Sequence, residues 1–69
     1  LELGGNAACV LNAANEFVVD AFLNDKISFL KMPEVIERCM QDIAFVQKPT
    51  LEEYVNTDEQ TRLLAQELI

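Results

Sequence analysis

The sequence predicts an all-α fold, a small antiparallel helical bundle of three main helices plus a short fourth. Three observations lead there. Apolar residues recur at the i, i+3, i+4, i+7 spacing of helices in separate stretches of the chain. No stretch alternates apolar and polar residues between hairpin turns, so no strand is expected. The connections are short and rich in turn and cap residues, which favours antiparallel neighbours.

Gly4-Gly5-Asn6 reads as a turn leading into a helix cap, with the Asn6 side chain suited to the first free amides. The first helix is expected over 7–23. Val10, Leu11, Ala14, Phe17, Val18, Ala21 and Phe22 share one broad apolar face of it. Asn24-Asp25-Lys26 ends this helix with turn chemistry. Residues 27–30 form a short apolar connector in which Ser28 starts a turn.

Pro33 suits the first position of a second helix, expected over 33–43, because its missing amide has no partner to lose there. Val35, Ile36, Cys39, Met40 and Ile43 form the inward stripe, and Glu34 and Arg38 make a favourable pair at four-residue spacing. Residues 44–49 are the most loop-like. Thr50-Leu51-Glu52-Glu53 is a capping box, in which the Thr50 hydroxyl serves the Glu53 amide and Glu53 reaches back. A short helix to about Val55 is expected, then a break and fresh cap at Asn56-Thr57-Asp58. The last helix is expected over 58–68, with Leu64, Ala65 and Leu68 inward and Asp58 paired with Arg62 outside.

A chain of 69 residues suffices for one small domain, here 1–69. Such a domain buries only about 60% of the surface its unfolded chain exposes. Its 51% apolar content therefore implies a core plus an apolar face left for a partner, a second copy, or the rest of a longer protein. Leu1 in place of an initiator Met favours the last. The net charge of −7 and the absence of a basic stripe argue against nucleic acid and against an anionic membrane surface. Asn12, Glu16, Asp20 and Asn24 interrupt the best candidate for a membrane span. Cys9 and Cys39 are too few for a disulfide framework and read as buried thiols of a reducing cytoplasm.

The catalytic inventory is thin. There is no histidine, so the commonest general base is missing and a four-ligand zinc site cannot be assembled from this chain alone. Gly4-Gly5 lacks the preceding strand and the lysine of a phosphate cradle and reads as a plain turn. Glu52-Glu53 and Asp58-Glu59 are first-turn carboxylates favoured by helix dipoles rather than metal ligands. What remains is the polar run inside the first helix: Asn12, Asn15 and Glu16. Asn12 and Glu16 are four apart and share a stripe. One reading makes the run a solvated flank. The other makes it a seam that clamps a neighbouring segment through backbone hydrogen bonds, because asparagine is a poor choice for a plain helix surface.

Residues 4–16, Gly-Gly-Asn-Ala-Ala-Cys-Val-Leu-Asn-Ala-Ala-Asn-Glu, followed by Ala21-Phe22-Leu23-Asn24 and Lys26-Ile27-Ser28-Phe29, resemble the C-terminal helical domain of the 1-deoxy-D-xylulose 5-phosphate reductoisomerase family. Pro49-Thr50-Leu51-Glu52, and Asp58 with Arg62, resemble that family's last helices. The resemblance covers nearly the whole chain, and its most specific block is Leu11 to Glu16. Phe17, Val18 and Thr61 depart from the family's usual residues. The resemblance implies a parent enzyme that rearranges 1-deoxy-D-xylulose 5-phosphate and reduces the product with NADPH, aided by a divalent metal (Mg or Mn), for isoprenoid synthesis. It implies that nucleotide, metal and substrate are held by earlier domains. No catalytic, cofactor-binding or metal-binding residue is therefore carried onto this chain, and the chain alone is expected to be inactive. Asn12, Asn15 and Glu16 are carried over as the family motif, with a role in interdomain support.

Self-association through the exposed apolar face is expected when the other domains are absent. Two rival classes stand beside this reading. A free-standing acidic interaction module would use the asparagine-rich face for docking. An acyl-carrier-like protein would need a modifiable serine, and Ser28 between Ile27 and Phe29 is a poor match.

Overall fold

Three helices form, all from segments with helical apolar spacing: α1 (Ala7–Leu23), α2 (Lys31–Asp42) and α3 (Leu51–Leu68), in a computed structural model that describes residues 4–69. The expectation attached to Leu1 lies outside the described residues. α2 runs antiparallel to both neighbours: the start of α1 lies beside residues 44–46, just beyond the end of α2, and the Cys39 thiol approaches the Thr61 carbonyl at 3.8 Å. α1 and α3 run the same way, since Asn6 meets Thr57 and, further along both helices, Glu16 meets Arg62. The radius of gyration, 11.7 Å, is close to the ~11 Å expected of a compact chain this long.

The bounds of α1 match the expected ones. Its C-terminus is a Schellman motif: Asp25 is left-handed at φ 58°, its amide donates to the Phe22 carbonyl at 3.1 Å, and the Lys26 amide donates to the Ala21 carbonyl at 2.8 Å. α2 begins two residues before Pro33, which still lies in the first turn where amides need no intrahelical acceptor. The Ser28 hydroxyl accepts from the Lys31 amide at 3.3 Å and starts the turn. The expected Glu34–Arg38 pair gives way to Lys31–Glu34 at 3.5 Å and Arg38–Asp42 at 2.6 Å. Both pairs are exposed, so each contributes little to stability.

The short fourth helix does not form. The capping box at Thr50 and Glu53 starts one continuous helix that passes through Asn56-Thr57-Asp58 without a break. Thr57 is buried, its hydroxyl accepts from the Asn6 amide group at 3.0 Å, and its carbonyl accepts from the buried Thr61 hydroxyl at 2.7 Å. These tertiary and back-bonded partners outweigh the weak local preference of Asn, Thr and Asp for a turn.

Asn6 also departs from expectation. It occupies the N-cap position, but its backbone (φ −90°, ψ 4°) is not extended, and its side chain makes no cap bond. The side chain turns inward and is 1% exposed. Its Nδ2 donates to the Ala44 carbonyl at 2.9 Å and to Thr57 Oγ1, while its Oδ1 accepts from the Val46 amide at 2.8 Å. The Asn6 amide completes the set by donating to the Val46 carbonyl at 3.0 Å. One carboxamide thus ties α1, the 44–46 segment and α3 together. Gly5 permits this. Its φ is +60°, and a Cβ there would collide with the Val46 carbonyl oxygen and lie 2.9 Å from the Phe45 ring.

The core is built of small side chains: Val10, Ala14, Val18, Val35, Cys39 and Ala65, with Phe17, Ile27, Met32, Ile36, Met40, Ile43, Leu64 and Leu68 packed partly over it. The largest fully buried side chains are the two valines Val18 and Val35. Three of the four phenylalanines, Phe22, Phe29 and Phe45, remain exposed, as do Leu23, Leu30, Leu51 and Leu63.

Candidate functional site

The site begins with the two faces of α1. Val10, Ala13, Ala14, Val18 and Ala21 are buried against α2 and α3. Ala8, Leu11, Asn12, Asn15, Val19, Phe22 and Leu23 are all exposed. At 3.6 residues per turn these seven positions fall within an arc of roughly 120°, on the side opposite the core. Leu11 and Phe22, expected on the inner face, belong at least partly to this outer one. The arc contains no charged residue. A helix that is apolar on both sides is normally covered on both sides.

Among the described residues, neither Asn12 nor Asn15 has a side-chain hydrogen-bond partner, and both flank an open hollow of about 390 Å³ lined by Ala8, Leu11, Asn12 and Asn15. Glu16 stands apart from them. Its Oε2 accepts from the Arg62 guanidinium at 2.7 Å, and Arg62 Nε also donates to Asp58 at 3.0 Å. Hydrogen bonds to Glu16, and then to Asp58, hold the Arg62 pKa above its ordinary value. Of the three motif residues, Glu16 therefore links α1 to α3 inside this chain, whereas Asn12 and Asn15 face outward with no side-chain partner among the described residues. The expected Asp58–Arg62 pair is present; the link to Glu16 had no signal in the sequence, because it joins residues 46 apart.

The outer face of α1 continues onto α2. Phe22 and Phe29 meet edge to face with ring centroids 6.0 Å apart. Phe29 then lines a second hollow, of about 380 Å³, with Met32, Pro33, Ile36 and Glu37. The exposed apolar surface is thus a connected patch rather than scattered side chains, and connected patches mark contact surfaces.

Among the described residues, the side chains assemble no divalent-metal site, and the Gly5 turn offers no open phosphate cradle. No group of three His, Cys, Asp or Glu side chains converges among the described residues. The concave side of the Gly5 turn is filled by Val46 and Phe45. Both thiols are free; Cys9 points to the Tyr54 carbonyl at 3.6 Å and Cys39 to that of Thr61. Burial pushes both thiols above their ordinary pKa, with Asp58 adding to the effect at Cys9 and Asp42 at Cys39. Such thiols are poor nucleophiles and poor ligands. No helix among the described residues is long and apolar enough to cross a membrane.

The outer face of α1 is thus uncharged and carries two carboxamides that have no side-chain partner among the described residues. Comparison with known proteins gives the family. Residues 1–64 match the family model for the DXP reductoisomerase C-terminal domain. The 1-deoxy-D-xylulose 5-phosphate reductoisomerase of Bacteroides fragilis is 58% identical over 66 residues, covering 96% of this chain and 17% of the relative. The enzyme of the same name from Thermoanaerobacter sp. is 45% identical over 62 residues, covering 90% and 16%. That of Porphyromonas gingivalis is 42% identical over 69 residues, covering 100% and 18%. No solved structure matches the chain. The chain spans about a sixth of the length of the curated relatives it matches. It belongs to the family of DXP reductoisomerase C-terminal domains.

Proposed function

We propose that this chain is the C-terminal helical domain of a reductoisomerase, a brace that supports the catalytic body and does no chemistry itself. The parent enzyme would convert 1-deoxy-D-xylulose 5-phosphate and NADPH to 2-C-methyl-D-erythritol 4-phosphate in the cytoplasm, for isoprenoid synthesis. NADPH and a divalent metal, Mg or Mn, would be held by other domains, whose reactive groups this domain helps to position. The observation that carries the reading is the uncharged outer face of α1, on which Asn12 and Asn15 have no side-chain partner among the described residues. Interface cores are depleted of charge in this way. Glu16 supports the seam indirectly, by holding α3 against α1 through Arg62. Left uncovered, the patch that runs from α1 to Phe29 and Ile36 would promote self-association of the isolated domain.

The free-standing module and the acyl carrier are not favoured. The relatives named above are reductoisomerases of several times this length. The test is catalytic. The purified 69-residue chain should neither oxidise NADPH in the presence of 1-deoxy-D-xylulose 5-phosphate and Mg nor bind NADPH in a fluorescence titration, whereas the full-length enzyme should do both. Turnover by the isolated chain would overturn the brace reading.

A further inference from the structure

The brace reading leaves open what touches the Asn12–Asn15 hollow, and the chemistry of the hollow narrows the answer. Its lining is Ala8, Leu11 and two carboxamides, with no charge. The nearest acid, Glu16, already pairs with Arg62, and Asp20 accepts from the Asn24 side chain. A charged ligand would find no countercharge here, which disfavours phosphate, carboxylate and ammonium groups once the hollow is covered. A carboxamide presents one acceptor oxygen and two donor hydrogens, the complement of a peptide group. Ala8 is small enough to let a backbone come close. Asn12 and Asn15 are separated by about 4.5 Å along the helix axis, between one and two residues of extended chain at ~3.3 Å each. A helix body or the interior of a sheet has no free peptide groups to offer. An extended segment, such as a loop or a sheet edge, does.

We propose that Asn12 and Asn15 pair with the main chain of an uncharged, extended segment from another part of the same reductoisomerase polypeptide. This inference rests on the brace reading. The choice of an intramolecular partner follows from the relatives, in which more than four fifths of the polypeptide lies outside the matched region. The Leu11 and Val19 side chains flank the carboxamides and would exclude water from the paired peptide groups, which makes the pairing matter energetically.

The test uses the full-length enzyme with Asn12→Leu, Asn15→Leu and, separately, Val19→Asp, followed by peptide-resolved hydrogen exchange. Leucine keeps the bulk and improves helix propensity, so a face that docks by apolar contact alone would tolerate both asparagine changes. The expected result is exchange about tenfold faster or more in one contiguous peptide outside residues 1–69, because a buried peptide group loses its partner. That peptide should be slowed by neither change. If both leucine variants leave every peptide unchanged while Val19→Asp loosens the domain, the main-chain pairing is wrong and the brace survives. If Val19→Asp is silent as well, the face is not covered and the brace reading falls with the inference.

Discussion

Asn6, at the N-cap of α1, and Asn12 and Asn15, in its body, carry the same side chain and have opposite surroundings. Asn6 is buried and fully bonded, to Ala44, Val46 and Thr57. Asn12 and Asn15 are exposed and make no side-chain bond among the described residues. A buried carboxamide with every partner in place fixes a unique arrangement of the elements it joins. An exposed carboxamide in an apolar surface keeps its bonding capacity for something else. The first site makes the domain fold as it does, and the second gives the domain a surface to offer. The difference teaches that residue type does not assign a role; the location of its hydrogen-bond partners does.

The largest effect that would break this contrast lies at the Asn6 end. Asn6→Ala removes partners from the Ala44 carbonyl, the half-buried Val46 amide and the buried Thr57 hydroxyl, and should cost about 3 kcal/mol, at roughly 1 kcal/mol for each of the three hydrogen bonds lost. Gly5→Ala should cost roughly 2–5 kcal/mol, from left-handed strain plus collision with Val46 and Phe45. A domain of this length has roughly 3–10 kcal/mol of stability in total. Either substitution should therefore leave the isolated chain largely unfolded or with a strongly lowered urea midpoint, measured by circular dichroism. A midpoint unchanged by both would mean that the Asn6 network is not what joins the 44–46 segment to the helices.

The smallest effect belongs to the outer face. Asn12→Leu and Asn15→Leu should change the stability of the isolated chain by no more than about 0.5 kcal/mol, because nothing within the domain pairs with these side chains. A loss approaching that of Asn6→Ala would show that the two regions do not differ in kind. Self-association has to be monitored by sedimentation in the same samples, since the new leucines enlarge an already apolar patch.

The features legible in the sequence are those set by short-range chemistry. The Thr50–Glu53 capping box, the C-terminal end of α1 and the Asp58–Arg62 pair all depend on residues within five positions of one another, and all three appear as expected. The misread features depend on distant contacts. Asn6 has cap chemistry by its neighbours, but Thr57 and Val46 draw it inward from 51 and 40 residues away. The turn expected at Asn56-Thr57-Asp58 vanishes for the same reason. The outward position of Asn12 and Asn15 was visible because polar residues interrupt an apolar helix. The separate role of Glu16 was not, since only the fold brings Arg62 to it. The continuation of the patch through Phe22 and Phe29 likewise depends on how the connector folds back.

The most direct test of the covered face places a thiol at the centre of the outer arc of α1. Val19→Cys in the full-length reductoisomerase and in the isolated domain would be labelled with a small thiol reagent, and the rate read by mass at the peptide carrying position 19. The account predicts rapid labelling in the isolated domain, where Val19 is 38% exposed, and labelling at least about a hundredfold slower in the full-length enzyme, as for other buried thiols. Equal rates in the two proteins would show that the rest of the enzyme leaves this face open to solvent, and would contradict the account.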